Sequence, residues 1–152
     1  MIDGVSVKKI VCHPTSDGFF AELVKFGEET FHEVRQTSYS ETNPGIIKAF
    51  HFHDYWEMWF LIKGKARIVI YDSRHGSKTE GKTQVILVDD QENKFVVALP
   101  PGVLHGYQVL GDGPLGMLYH AEREYNPKKI EIGEVDHDDP EIGFNWLDSD
   151  IS

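Results

Sequence analysis

The feature that most restricts the fold of this chain is a recurrence of short runs rich in β-branched and aromatic residues. Clusters of turn-forming residues separate the runs, such as Asn-Pro-Gly at 43–45 and Gly-Asp-Gly-Pro at 111–114. This pattern leaves little room for helices and is typical of all-β sandwiches and barrels. The predicted strands are residues 19–25, 29–37, 46–52, 57–63, 65–72, 83–87, 94–99, 105–109 and 115–121. We therefore expect an antiparallel sheet that is closed or sandwiched.

Length and composition indicate a single domain. The 152 residues suffice to bury one hydrophobic core, and 40% hydrophobic with 26% charged residues are ordinary values for a globular protein. We expect one domain over residues 1–152, with a barrel at about 15–125 and a C-terminal extension at about 126–152. The extension is acidic, but its Phe144 and Trp146 predict that it docks on the barrel surface.

Charge and cysteine content restrict the partners and the location. A formal net charge of −10 repels nucleic acid and anionic membrane surfaces, so we expect neither as a partner. Cys12 is the only cysteine, which excludes an intrachain disulfide. Neither a secretion signal nor a membrane-spanning apolar run is recognisable. These features predict a cytoplasmic protein.

The densest group of metal-ligating side chains lies near the middle of the chain. His51 and His53 are separated by one residue, so their imidazoles point to the same side of a strand, and Glu57 follows them closely. His105 follows the Pro-Pro-Gly turn at 100–102, and a barrel can bring it opposite the other three. Three imidazoles and one carboxylate suit zinc, manganese, iron(II), nickel or copper. Hydrogen-bonded structural histidines are the alternative, but four ligands in two separate turn contexts favour a metal site.

These two segments also carry a family resemblance. Between Gly45 and Gly64 the chain matches the first of two cupin motifs at every defined position, and residues 100–105 match the proline, glycine and histidine of the second. The chain therefore resembles the metal-binding members of the cupin superfamily. Lys94 and Val109 depart from the second motif, outside the ligand set. The resemblance implies a cupin jelly-roll barrel, or double-stranded β-helix, with a divalent metal ion inside.

A longer resemblance covers nearly the whole chain. Its matching segments are Gly-Phe-Phe at 18–20 with Glu22, Gln36 with Ser38 and Ser40, 45–51, 100–102, 105–107, Tyr119, 125–127 and 138–146. On these segments the chain is similar to the dTDP-4-dehydrorhamnose 3,5-epimerase family. Its members are jelly-roll isomerases of carbohydrate biosynthesis that act on nucleotide-linked keto sugars. The resemblance implies the same fold and an isomerase activity.

Carried over to this chain, the resemblance also implies residue roles. His51 is the general base, oriented by Asp139, and Tyr119 is the acid on the opposite face of the sugar. The structural alternatives are a packed aromatic ring for Tyr119 and a turn-capping carboxylate for Asp139. The implied substrate-binding residues are Lys48, Gln36 and Tyr125.

Three positions depart from the epimerase family: two replace a cation with an acidic residue, and Lys48 keeps the charge but loses the planar fork of an arginine. Asp17 and Lys48 stand where the family has arginines, and Glu57 stands where it has a lysine expected to stabilise the developing oxyanion. The exchange at position 57 deletes a catalytic cation and completes a metal-ligand set. We therefore expect a metal ion to act as the electrophile. A histidine that ligates this metal is no longer a free base, so both roles stay open for His51.

These observations predict an epimerase or isomerase of a keto sugar, nucleotide-linked or free, that abstracts a proton next to a carbonyl with a divalent metal bound. Two alternatives stay open. One is a metal-dependent cupin of other chemistry, such as a dioxygenase or a simple sugar isomerase, and the other is a non-catalytic sugar-binding cupin. By analogy with small cupins, which bury apolar sheet faces between subunits, we expect a homodimer.

Overall fold

The fold is built from β-strands that are separated by turn-forming clusters. The computed structural model describes residues 1–126, 128 and 132–148, apart from the side chain of Ile132. The strands are β1 (Ser6–Lys9), β2 (Cys12–Thr15), β3 (Gly18–Ala21), β4 (Gln36–Thr42), β5 (Ile47–His53), β6 (Glu57–Lys63), β7 (Lys65–Tyr71), β8 (Thr83–Asp89), β9 (Phe95–Leu99), β10 (Leu104–Leu110), β11 (Leu115–Ala121) and β12 (Ile132–Glu134). Within the described ranges there is no helix of the length and hydropathy needed to cross a bilayer.

Two five-stranded antiparallel sheets hold most of the strands. The first has the order β1-β9-β6-β11-β4 and the second has the order β12-β5-β10-β7-β8, while β2 and β3 form a separate hairpin. Strands that are distant in sequence are neighbours in space, as in jelly-roll barrels. The predicted all-β jelly-roll class is confirmed.

The side chains between the two sheets form the main hydrophobic core. Because side chains alternate along a strand, Trp59 and Leu61 of β6 and Met117 of β11 point inward from the first sheet. Ile68 and Ile70 of β7 meet them from the second sheet. Toward one end of the barrel this apolar core gives way to a pocket lined by polar side chains.

The N-terminal third differs from the predicted strands. β1 pairs with β9 in the first sheet, so the barrel begins earlier in the chain than the sequence predicts. Residues 29–35 were expected in a strand but form an irregular segment, and β4 begins only at Gln36. The less exposed side of β4 carries an amide and hydroxyl groups rather than apolar side chains. The apolar alternation that marks most half-buried strands is therefore missing there.

The C-terminal segment, residues 132–148, lies along the outside of the second sheet. It begins with β12, which pairs with β5. Further along, the buried Arg67 donates hydrogen bonds to the main-chain oxygens of Trp146 and Asp148. Phe144 packs edge-on against Trp146 and lies over the guanidinium of Arg67. The docking that the two aromatic residues predict is therefore observed.

Candidate active site

The pairing of β5 with β10 brings the two predicted ligand segments together. His51 lies opposite His105 in the register of these strands. A side chain at Gly106 would clash with the side chain of Ala49 and the carbonyl oxygen of Lys48 on β5. Only glycine permits this close approach of the two strands. The glycine that follows His105 thus determines how close β5 and β10, the two strands that carry the histidines, lie to each other.

Three of the four predicted metal ligands form a compact buried cluster. Ligand atoms of His53, Glu57 and His105 all lie within 4.8 Å of one another. Glu57 Oε2 lies 3.5 Å from His53 Nε2 and 3.6 Å from His105 Nε2, and it accepts a 2.9 Å hydrogen bond from Trp59 Nε1. Burial raises the pKa of Glu57, but the two imidazoles in their protonated forms and the Trp59 N–H outweigh it and hold the pKa below its ordinary value.

The protonation of this cluster leaves nitrogen lone pairs available for a cation. His105 Nδ1 lies 3.0 Å from the carbonyl oxygen of Val103, which can only accept, so Nδ1 carries the proton. In the neutral imidazole the lone pair is then on Nε2, which lies 3.6 Å from Oε2 of Glu57 and has no hydrogen-bond partner among the described residues. Burial lowers the pKa of His53 to about 4, which keeps that imidazole neutral at pH 7. Two imidazoles and a carboxylate are a donor set that fits zinc, manganese or iron(II).

His51 lies beside this cluster but points to a different partner. Its Nδ1 is 3.6 Å from Oε1 of Glu134, which belongs to β12 on the neighbouring strand. Burial lowers the pKa of His51, as does the nearby His105, while Glu134 offsets part of this shift. The imidazole is therefore mostly neutral at pH 7. Of the four predicted ligands, His51 is the one outside the compact cluster.

Asp139, which the sequence predicts to orient His51, has other contacts in the structure. Its carboxylate accepts a 2.8 Å hydrogen bond from the main-chain N–H of Glu141 and caps a turn of the C-terminal segment. It lines a separate cavity of about 330 Å³ together with Phe52, whose side chain alternates with those of His51 and His53 along β5. No hydrogen bond or ion pair joins Asp139 to His51 in the part of the chain that is described. The acidic partner of His51 is Glu134, because β12 lies next to β5.

Tyr119 faces the same pocket as His51 from the opposite sheet. Its hydroxyl group lies 2.9 Å from Oγ of Ser40 and 3.3 Å from the hydroxyl group of Tyr107, which in turn lies 2.9 Å from Oγ1 of Thr42. Burial, reinforced by Tyr107, raises the pKa of Tyr119 well above its ordinary value of 10.0. Tyr119 is therefore protonated at neutral pH and can serve only as an acid.

The three predicted substrate-binding residues do not all line the pocket. Lys48 lines the pocket with His51 and Tyr119. Gln36 and Tyr125 are joined to each other, since Oε1 of Gln36 accepts a 2.8 Å hydrogen bond from the main-chain N–H of Tyr125. The ring of Tyr125 is 61% exposed and lies at the surface.

Sequence reasoning missed three residues of the pocket and its rim. Trp59 holds Glu57 through its indole N–H, Tyr107 touches Tyr119, and Glu134 faces His51. A signal was present for two of them, because Trp59 is two residues after Glu57 and Tyr107 two residues after His105. Residues two apart share a face of a strand. The pairing of Glu134 with His51 depends on the position of β12, and no local sequence pattern predicts it.

The pocket has a volume of about 180 Å³ and combines an imidazole–carboxylate cluster with a histidine and a tyrosine on facing sheets. In a jelly-roll barrel, these features define an enzyme site of the cupin type. The sequence profile of dTDP-4-dehydrorhamnose 3,5-epimerase matches residues 1–152. The chain belongs to this family of sugar epimerases.

Individual relatives agree with this assignment. The chain is 44% identical over 147 residues to the spore coat polysaccharide biosynthesis protein SpsL of Bacillus subtilis, covering 96% of this chain and 97% of that protein. It is 28% identical over 143 residues to the dTDP-4-dehydrorhamnose 3,5-epimerase of Mycobacterium tuberculosis, covering 88% and 69%. The crystal structure of a dTDP sugar isomerase from Desulfovibrio desulfuricans superposes with a TM-score of 0.88 at 22% identity, covering 99% and 95%, and it supports the fold.

Proposed function

We propose that this protein inverts carbon centres next to the ketone of a dTDP-linked 4-keto-6-deoxy sugar. The observation that carries the proposal is that His51 and Tyr119 face one pocket from opposite sheets. Inversion requires a base on one face of the sugar ring and an acid on the other, because the proton must leave and return on different sides. The substrate class is taken from the family and from the relatives named for it.

His51 is the proposed base. Its lowered pKa keeps the imidazole neutral and able to accept a proton at pH 7. Glu134 takes the orienting role that the sequence assigns to Asp139, and its charge stabilises the imidazolium that forms. Tyr119 is the proposed acid, since its pKa keeps the phenol protonated until the enolate is present.

The sugar ring and the nucleotide have separate binding residues in this proposal. A pocket of about 180 Å³ has room for one sugar ring, and Lys48 at its wall offers a cation to the attached diphosphate. Gln36 and Tyr125, joined by a hydrogen bond, offer an amide and an exposed aromatic ring to the nucleoside. The nucleotide then lies outside the pocket.

The cluster of His53, Glu57 and His105 is the proposed site of a divalent metal ion. It fits such an ion because the Nε2 lone pair of His105 faces Glu57 without a hydrogen-bond partner. A bound ion supplies a Lewis acid that polarises the substrate ketone, which is the task of the family's lysine at position 57. With His51 assigned as the base, the Trp59 N–H orients Glu57 and the Val103 carbonyl orients His105.

The homodimer and the cytoplasmic location expected from the sequence also belong to this proposal. The β2–β3 hairpin exposes 61% of Phe19 and 61% of Phe20, an apolar surface that a second copy of the chain can cover. A single cysteine, which excludes an intrachain disulfide, agrees with the proposed cytoplasmic location.

Proton exchange in deuterium oxide tests the proposed activity. Incubation with a dTDP-4-keto-6-deoxy hexose should place deuterium on the carbons next to the ketone and give the inverted sugar. His51→Asn and Tyr119→Phe should each lower inversion by about 100- to 10,000-fold. Full activity in both variants, or no exchange by the wild-type protein, contradicts the proposal. Oxygen consumption by the iron-loaded protein without exchange favours the dioxygenase alternative that the cluster also permits.

Metal analysis tests the second part of the proposal independently. Protein purified without a metal-affinity tag should carry a stoichiometric divalent ion, and His105→Ala should remove it. Metal-free protein with full epimerase activity would leave the acid–base assignment intact and overturn the metal site.

A further inference from the structure

Four hydroxyl groups form a continuous row along one wall of the pocket. The row runs from Thr42 through Tyr107 and Tyr119 to Ser40, with oxygen–oxygen distances of 2.9, 3.3 and 2.9 Å. Thr42 and Tyr107 are only 5% and 2% exposed, so water does not compete for their hydroxyl groups. Each hydroxyl group has one proton to donate, and the direction of these bonds decides where the proton of Tyr119 points.

We propose that Tyr107, held by Thr42, is a positioning residue for Tyr119. It directs the phenolic proton of Tyr119 toward the substrate carbon and stabilises the phenolate that the transfer leaves behind. This inference rests on the proposed function, in which Tyr119 is the acid. It adds a residue of the pocket wall whose proposed action is exerted through the hydroxyl group of Tyr119.

The direction of the row follows from the task of Tyr119. While its proton points at the substrate, its oxygen can only accept hydrogen bonds, and the available donors are Tyr107 and Ser40. Tyr107 donates to Tyr119 when its own oxygen accepts from Thr42. With this pattern of donors and acceptors, the hydroxyl protons of Thr42, Tyr107 and Tyr119 all point along the row toward the pocket.

The proton transfer itself balances within the pocket. His51 removes a proton from the carbon next to the ketone, and the electron pair of that C–H bond becomes part of the enolate. The O–H bond of Tyr119 then breaks, and its proton forms a new C–H bond with the electron pair of the enolate. Tyr119 is left as a phenolate and His51 as an imidazolium, and proton exchange with solvent restores both.

The distance between the hydroxyl oxygens of Tyr107 and Tyr119 indicates a contact that helps the reaction more than it stabilises the resting state. At 3.3 Å their oxygens are further apart than in an ordinary O–H···O hydrogen bond. A bond to a charged acceptor is shorter and about twice as strong, so this contact gains strength when Tyr119 becomes a phenolate. Interactions that strengthen toward the transition state raise the rate.

Tyr107→Phe tests this role without removing the ring. The ring packs edge-on against Trp59 with centroids 5.8 Å apart, and phenylalanine keeps that contact. In deuterium oxide, two rates are measured: deuterium entry into substrate that is not inverted, and formation of inverted product. An enolate that misses its acid takes a proton back from His51. Inversion should therefore fall by about 10- to 100-fold, while deuterium entry without inversion is kept.

Two further variants control for structural effects. Thr42→Val removes the hydroxyl group that holds Tyr107 and should shift the ratio of exchange to inversion in the same direction, and Thr42→Ser should restore it. Tyr71→Phe, on the outer side of the second sheet and facing the other cavity, removes a phenolic hydroxyl group elsewhere and should leave the ratio unchanged.

The outcomes separate this inference from the proposed function. If Tyr119→Phe abolishes inversion but Tyr107→Phe leaves the ratio of exchange to inversion at its wild-type value, only the positioning role is overturned. An equal loss of exchange and inversion in Tyr107→Phe also overturns it, because that is the result of a general structural defect. If Tyr119→Phe inverts the sugar normally, the proposed function fails and the role of Tyr107 fails with it.

Discussion

Two buried carboxylates in this protein have contrasting surroundings. Asp72, at the end of β7, is fully buried and makes short bonds to Arg74 at 2.8 Å, to Ser77 at 2.6 Å and to Thr79 at 2.6 Å. All of these partners lie in the loop that follows the strand. The hydrogen-bonding capacity of the Asp72 carboxylate is therefore used within the fold.

Glu57 is nearly as buried, with 8% of its surface exposed, but its partners are different. It accepts one short hydrogen bond, from Trp59, and the imidazoles of His53 and His105 lie at 3.5 and 3.6 Å. A carboxylate whose partners are all supplied nearby stabilises the fold. Glu57, which accepts one short hydrogen bond and faces a pocket, keeps hydrogen-bonding capacity that the described residues do not use.

Among the carboxylate variants, Glu57→Gln should have the largest effect on activity. The amide keeps the volume of the side chain but is a poor metal ligand, so inversion should fall by at least about 100-fold and the bound ion should be lost. In a comparison of the two metal-free proteins, the free energy of unfolding should change by less than about 1 kcal/mol, because no buried cation then loses its partner. Exchange kinetics, metal analysis and urea denaturation measure the three quantities. A variant that keeps both the ion and the activity would refute the contrast.

Asp72→Ala should have the opposite profile. It leaves the guanidinium of Arg74 and two hydroxyl groups without their acceptor, which should lower the free energy of unfolding by about 2 to 4 kcal/mol. The specific activity of the folded protein should stay at the wild-type level. Urea denaturation and exchange kinetics on the same preparation check this pair of results. A loss of activity without a loss of stability would mean that Asp72 serves the site.

Acid should erase the difference between wild type and Asp72→Ala. Hydrogen bonds from Arg74, and next from Ser77 and Thr79, hold the pKa of Asp72 well below its ordinary value of 3.8. A depressed pKa in the folded state contributes stability that is complete above 3.8 and is lost as the pH falls below it. Urea unfolding of both proteins on either side of that pH should show the gap narrowing in acid. A gap independent of pH would refute the assignment.

Glu134→Gln should have the smallest effect. The carboxylate is 76% exposed and 3.6 Å from His51, so solvent and salt screen it. We expect kcat/KM to fall by no more than about fivefold, and we expect the loss to shrink as the salt concentration rises. Kinetics at low and high ionic strength provide the test. A loss of 100-fold would place Glu134 with Glu57 among the indispensable carboxylates.

Most of the barrel could be predicted from the sequence, because most turns between β4 and β11 contain glycine or proline and the strands between them include many β-branched residues. β4 could not be placed correctly, since its inward side carries hydroxyl groups that serve the pocket and not the core. Likewise, the three-residue cluster follows from the motif spacing, and His51 and Tyr119 were expected in one pocket. Glu134, the partner of His51, was not predictable, because its position depends on the pairing of the three-residue strand β12 with β5.

That short strand has a consequence for how the protein is made. β5 would be the edge of the second sheet without β12 beside it, and it carries His51, His53 and Lys48. A ribosome releases the barrel strands first and the strand bearing Glu134 after them. Until β12 arrives, a new chain exposes an unpaired edge of the kind that recruits other chains. Pairing of β12 with β5 therefore completes the site and covers this edge in a single event, after the barrel strands have been made.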